Sequence, residues 1–231
     1  MLRREACLGG VLCSILCVMK VYESQKVYFE EAYKTGEHGW PTKEPERFVI
    51  DFLKKNKKSL AGKRLLDIGS GEGRHTIAAA ISGLEAYGMD YQVLAIKKAI
   101  GFSREKKITG CLNFIAGDIF NMPFKDGVFD VLIDYGVLHH IKKPDVTDYT
   151  NRIPLLLKER GYFILSCFSN RFKHYDGEKR KRDWTAHRGH YDRFFKKKDL
   201  YEIFSDNFEI IDVAEEINGL HAFYHLLMRK R

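Results

Sequence analysis

The stretch that most restricts the fold runs from Arg64 to Arg74, R-L-L-D-I-G-S-G-E-G-R. A short apolar run holds one acid, Asp67, and gives way at once to Gly69-x-Gly71-x-Gly73. The residues that follow, His75 to Ile81, are mostly small or apolar and suit a helix, so the segment reads as strand, tight turn and helix. Glycine in such a turn lets the chain leave the strand sharply. It also lets a ligand lie against bare backbone, where a Cβ would collide. The spacing is not the dinucleotide pattern G-x-G-x-x-G, which would need a glycine where Arg74 stands.

The same strand-then-acid pattern recurs downstream. Leu84 to Met89 reads as a second strand ending at Asp90, close to where a doubly wound fold places the carboxylate that grips a ribose. Tyr91 to Ile100 is helical in character, and Leu112 to Ala116 is a third strand leading to Gly117-Asp118-Ile119. Asn121 to Gly127 is turn chemistry. Phe129 to Ile133 is a fourth, buried strand, and it runs into Asp134-Tyr135-Gly136-Val137-Leu138-His139-His140. A helix around Ile153 to Lys158 leads to a fifth strand, Gly161 to Cys167. A helix near Lys197 to Phe204 precedes Phe208 to Val213 and His221 to Met228, which read as a strand pair. Ahead of all this, 22–57 is a helical lead-in, with Pro45 in the first turn of a helix through Phe48 to Leu53.

Asp67-Ile68-Gly69-Ser70-Gly71-Glu72-Gly73 resembles motif I of the class I S-adenosylmethionine-dependent methyltransferases. The acids after strands two and three, and F-D-V-L-I-D-Y-G at strand four, follow in that class's order over about Lys63 to Cys167. The resemblance implies an α/β fold, a doubly wound Rossmann-like sheet of seven mostly parallel strands with an antiparallel last strand. It implies S-adenosylmethionine as cofactor, S-adenosylhomocysteine as product and transfer by in-line displacement. Asp67 and the backbone of Gly69, Ser70, Gly71 and Gly73 would face the amino-acid tail. Asp90 would face the ribose and Asp118 and Ile119 the adenine, with Tyr91, Asp134 and Tyr135 completing the cofactor side. G-E-G-R, L-H-H and H-Y-D-R-F-F-K-K-K-D-L look most like the small-molecule enzymes of the tellurite-resistance and type 11/25 groups. In such enzymes an aromatic entry segment closes over the acceptor. Tyr33, Trp40, His139 and Tyr191 are the matching candidates here, although for Tyr33 and Trp40 plain core packing is the preferred reading.

An activated sulfonium donor asks the protein mainly for alignment and exclusion of water. His139 and His140 sit at the carboxyl edge of strand four, where α/β sheets bind ligands, and are the candidate catalytic residues. Either could take a proton from a hydroxyl or amine, His139 first, while a thiolate or tellurite-like acceptor would need no base. Asp134-Tyr135-Gly136-Val137 is not the N/D-P-P-Y/F motif of base N-methyltransferases. Cys167 lacks the P-C partner of the cytosine C5 enzymes and reads as a buried strand-end cysteine.

Composition bears on domains and partners. At 231 residues the chain suits one substantial domain over 19–231, with 168–198 a basic, aromatic lid-like insert. The net charge is +8, and residues 171–198 carry eleven lysines and arginines against four acids, so nearly the whole excess lies there. Those cations interleave with Phe172, Tyr175, Trp184, Tyr191, Phe194 and Phe195, which makes RNA an alternative partner to a small-molecule acceptor. A third reading, from another class, is a catalytically silent cofactor-binding protein. Five cysteines without a C-x-x-C pair give neither a disulfide framework nor a zinc site, and point to a reducing, cytoplasmic setting. Residues 1–18 hold an apolar run too short for a stable membrane span. It reads as a weak anchor or export segment, a docked helix, or a start assigned too early with Met19 as the true one, the last being preferred. Oligomeric state has no signal in the sequence.

Overall fold

Alternation along the strands builds both faces of the core. The computed structural model describes residues 22–38, 40, 44–108 and 111–231, so the expectations for residues 1–18 lie outside the described residues. The chain opens with helix α1 (22–35), α2 (Arg47–Lys55) and α3 (Lys57–Leu60). Then come β1 (Arg64–Ile68), α4 (Arg74–Ile81), β2 (Glu85–Asp90), α5 (Val93–Glu105), β3 (Leu112–Ala116) and β4 (Phe129–Tyr135). After a short 3-10 turn, Leu138–His140, follow α6 (Val146–Leu156) and β5 (Leu157–Phe168). The chain closes with β6 (Trp184–His187), β7 (His190–Arg193), α7 (Lys197–Phe204), β8 (Phe208–Asn218) and β9 (His221–Lys230).

Seven strands form one sheet in the order β3-β2-β1-β4-β5-β9-β8. From β1 the chain winds outward through β2 and β3, then returns to β1's other side with β4, and that reversal opens a crevice at the carboxyl ends. β1 to β5 pair in parallel, while β9 runs antiparallel to both β5 and β8. The fold is therefore the doubly wound α/β sheet expected, antiparallel last strand included. Leu66, Leu132, Phe163 and Leu165 face Tyr149 and Ile153 of α6 and Leu200 and Phe204 of α7. Their strand neighbours Leu65, Val131, Ile133 and Ile164 face Val49, Phe52 and Leu53 of α2 and the alanines of α4. Each such buried aliphatic or aromatic side chain is worth ~1.5–3 kcal/mol over its exposed state.

Several elements differ from the sequence reading. α6 ends at Leu156, not Lys158, because Leu157 is already extended and pairs with Phe129 of β4. β8 runs on to Asn218, forming a long hairpin with β9. The insert contains a hairpin of its own, β6–β7, which the apolar pattern does not announce. No helix among the described residues is long and apolar enough to cross a membrane.

Candidate active site

The glycine turn after β1 is shaped by what it touches. Gly69 has φ +66°, and a Cβ there would stand 2.1 Å from Val137 Cγ2 in the loop after β4. Gly73 precedes α4 with φ +82°, and its Cβ would meet the Phe114 ring at 2.7 Å. Gly73 is thus held by helix-to-sheet packing and does not line the cavity above. Asp90, at the end of β2, ties the turn down: its carboxylate accepts from the Gly71 N–H at 2.9 Å and the Gln92 N–H at 2.8 Å. Burial pushes its pKa up to about 6, even though those two N–H groups pull it down.

A cavity of about 860 Å3 opens above these strand ends. Of the residues expected on the cofactor side, Gly69, Ser70, Gly71, Asp90, Tyr91, Asp118, Ile119 and Tyr135 line it. Asp67 and Asp134 do not. Asp67 is 1% exposed, and its Oδ2 accepts from both the N–H and the hydroxyl of Thr76, so it anchors the first turn of α4. Asp134 accepts from the Val137 and Leu138 N–H groups and the Tyr149 hydroxyl, which fixes the turn carrying the histidines. Both act on the site through the loops they hold. Two cavity-lining polar atoms, Ser70 Oγ and the Tyr91 hydroxyl, are buried with no hydrogen-bond partner. Orphaned groups of this kind fit a ligand that brings hydroxyls or amines. Arg74 and Glu72, both mostly buried, add opposite charges to the same wall.

The roof is α1 and the β6–β7 hairpin. Gln25 of α1 accepts from the Tyr191 N–H and donates to the His140 carbonyl, so one side chain joins helix, hairpin and histidine turn. Gln92 donates to the Lys26 carbonyl, and Tyr28 stacks on His190 at 4.0 Å between ring centroids. Tyr33 and Trp40 both line the cavity, with His38 stacked on Trp40 at 4.2 Å. Tyr191 does not. In a strand alternate side chains share a face, and on β7 that face carries His190 and Asp192, which do line the cavity, while Tyr191 packs on Trp184. Residue type pointed to the tyrosine, whereas the strand's period of two selects its neighbours.

Both candidate histidines line the cavity, with different bonding. His139 is buried, its Nδ1 accepting from the Phe168 N–H at 3.3 Å and its ring stacked on Phe168 at 3.6 Å. Burial, then the adjacent His140, keeps its pKa well below the usual imidazole value. His140 Nδ1 lies 3.0 Å from the Tyr191 carbonyl and 3.1 Å from Asp192 Oδ1, and Asp192 Oδ2 lies 3.0 Å from His190 Nε2. Neither carboxylate contact is a linear hydrogen bond, but the proximity is enough to matter electrostatically. Burial alone would raise the Asp192 pKa; the imidazoles of His140 and His190 overcome it and hold the carboxyl well below the usual range. Cys167 is fully buried, which pushes its thiol pKa up and leaves it a core residue.

Residues 59–208 match the methyltransferase domain family. The chain belongs to that family of enzymes, whose methyl donor is S-adenosylmethionine, and its sheet is that of the class I members. The uncharacterized methyltransferase YcgJ of Bacillus subtilis (strain 168) is 30% identical over 116 residues, 50% of this chain and 45% of that protein. The protein-lysine N-methyltransferase EFM4 of Saccharomyces cerevisiae is 26% identical over 148 residues, 58% of this chain and 65% of that protein. The chain thus spans less than two thirds of the length of these curated relatives. In fold it is similar to Burkholderia thailandensis 1,6-didemethyltoxoflavin-N1-methyltransferase, crystallised with 1,6-didemethyltoxoflavin and S-adenosylhomocysteine. That match has a TM-score of 0.74 at 21% identity and covers 92% of this chain and 90% of the other.

Proposed function

We propose that this protein transfers the methyl group of S-adenosylmethionine to a small-molecule acceptor. The observation that carries the reading is the continuity of the cavity. One space of about 860 Å3, near the top of the ~300–1,000 Å3 range of ligand pockets, joins the strand ends to an aromatic chamber under α1 and the hairpin. On the strand side, Asp90 with Ser70 and Tyr91 would hold the ribose. The bare backbone of Gly69 and Gly71, with Arg74, would take the amino-acid tail, and Asp118 and Ile119 the adenine. Bound there, the donor supplies a methyl on an already activated sulfonium. The roof residues Tyr28, Phe29, Tyr33 and Trp40 then exclude water and hold the acceptor in line.

The insert's side chains favour a small molecule over RNA. Phe172, Tyr191, Phe194 and Phe195 are buried, so they are not free to stack bases. Arg180 lies 3.5 Å over the Phe194 ring and pairs with Glu178, and Arg193 pairs with Asp183. Two of the eleven cations of 171–198 are thereby held inside the protein. The names of a relative and of a structural neighbour give acceptors as different as protein lysine and 1,6-didemethyltoxoflavin, so the acceptor is read from the cavity.

Calorimetric titration with S-adenosylmethionine and S-adenosylhomocysteine, with and without bulk RNA at two salt concentrations, tests this reading. Cofactor binding indifferent to RNA is expected. Salt-sensitive RNA binding would move the acceptor to nucleic acid, and absence of cofactor binding would overturn the proposal.

A further inference from the structure

His139 and His140 adjoin in sequence yet are fixed in opposite tautomers. His139 Nδ1 accepts a backbone N–H, so the neutral ring carries its proton on Nε2 and presents a donor. That bonding removes His139, the residue the sequence ranks first, as a base. His140 is the reverse. Its Nδ1 faces a carbonyl and a carboxylate oxygen, both of which only accept, so Nδ1 carries the proton. Nε2 is left as a bare lone pair with no hydrogen-bond partner among the described residues, on a ring that lines the cavity.

We propose that His140 is the general base of the transfer, that Asp192 is its positioning residue, and that the acceptor is a planar ring compound whose nucleophilic oxygen or nitrogen carries a proton. The inference rests on the methyl-transfer reading above and names its acceptor class. Asp192 is 1% exposed, and a carboxylate that deep must be paired. Its two partners are imidazoles from different elements, His140 on the turn after β4 and His190 on β7. Other titratable groups facing His140 are His139 on its own turn and Asp134 at the end of β4, and Tyr28 of α1 stacks on His190.

The ring shape of the acceptor follows from the walls. Phe29 meets His140 edge-on at 5.1 Å, and Tyr28, Trp40, Phe168 and Phe223 line the same space. Protein aromatics in this arrangement accept a flat apolar body, with one polar edge turned to His140. In the step itself the acceptor's proton passes to His140 Nε2. The electron pair left behind forms the bond to the methyl carbon, and the carbon–sulfur bond breaks with its pair going to sulfur. A sulfonium and a neutral imidazole become a thioether and an imidazolium, so charge balances, and Asp192 stands beside the new cation. A thiolate acceptor would leave this pair without a task.

The first readout needs no turnover. Side-chain nitrogen spectra of the full chain with S-adenosylhomocysteine are recorded at about pH 8, where an ordinary imidazole is neutral. The His140 signals are assigned by their disappearance in His140→Gln. A protonated Nδ1 and a bare Nε2 are expected; the opposite tautomer overturns the proposal. Transfer is then measured to phenols and N–H lactams of one to three rings, beside thiophenols. His140→Gln and Asp192→Asn should each lower kcat on the first group by about 10²-fold or more, a loss at least tenfold larger than on the thiophenols. The double variant should be no slower than His140→Gln, as for residues acting as one unit. Asp192→Glu, which keeps the carboxylate, should recover part of the rate. Proton-bearing acceptors still methylated by His140→Gln, or no transfer to any of them by the natural protein, would sink the idea. Should Asp192→Asn fail to fold, the tautomer and His140→Gln decide alone. Failure of S-adenosylhomocysteine to bind the natural protein overturns the methyl-transfer reading instead, so the two failures read apart.

Discussion

At position 69 the chain has φ +66°, and a Cβ would stand 2.1 Å from Val137 Cγ2. Val137 belongs to the loop that carries the histidines, so a side chain at 69 would push the two halves of the site apart. Gly69→Ala is expected to lower the unfolding free energy by about 1–3 kcal/mol, from backbone strain and overpacking together. It should also weaken S-adenosylhomocysteine binding. Urea denaturation and calorimetry on the same sample check both, and an unchanged denaturation midpoint would mean the loop gives way freely. The glycine was legible in the sequence because only a backbone need explains G-x-G-x-G after a strand. Asp192 was not. It lies within a basic run, and its partner His140 is distant in sequence, so nothing local marks it as different from a surface acid.

At the scale of elements, two features carry consequences. The first is the seat of α4. Asp67 is buried beneath it, and burial, opposed by its bonds to Thr76 and by Arg74, leaves its pKa raised to about 7. A carboxyl whose folded pKa exceeds its unfolded value favours folding below the unfolded pKa, near 3.8, and loses that contribution as pH rises through about 7. Asp67→Asn keeps an oxygen for Thr76 and removes the titration. Its stability relative to the natural protein should therefore rise between about pH 4 and pH 8, by an amount on the order of a few kcal/mol. Denaturant midpoints across that range are the check; a constant difference would mean that Asp67 titrates normally. The second feature is the β6–β7 hairpin, closed by Arg188 at φ +49° and Gly189 at φ +88°. Positive φ at both central residues is the two-residue I′ turn that suits twisted strands, and Asn is the usual residue at the first place. Arg188→Asn should raise stability by about 0.5–1 kcal/mol, read as a higher thermal midpoint at unchanged cofactor affinity. Two four-residue strands without an N-G turn give too little periodic signal to be found from sequence.

For the whole molecule, charge and topology separate. The excess positive charge lies in the insert, yet Arg180 and Arg193 point into it and pair with Glu178 and Asp183. Lys179, Lys181 and Arg182 remain toward the surface. Replacing these three by Gln should change S-adenosylhomocysteine affinity by less than about 0.5 kcal/mol, as for surface substitutions generally. A large, salt-dependent loss of RNA binding in that variant would instead reveal a nucleic-acid partner. The sheet itself was readable in advance. Apolar runs five to seven residues long, each ending near a glycine or an acid, mark the strands, and the resemblance of their motifs to the class I methyltransferases implied a doubly wound sheet with a crevice at the carboxyl ends. The sequence by itself therefore determined the fold class, the glycine turn, and the acids at the ends of β2 and β3. Only the tertiary structure decided which polar residues share the cavity. It turned Asp67 and Asp134 inward to hold loops, set His190 and Asp192 over the site in place of Tyr191, and gave adjacent histidines different hydrogen-bond partners. The physical reason is range: strand and turn propensities act over a few residues, whereas a hydrogen bond between β7 and the turn after β4 exists only once the chain has closed.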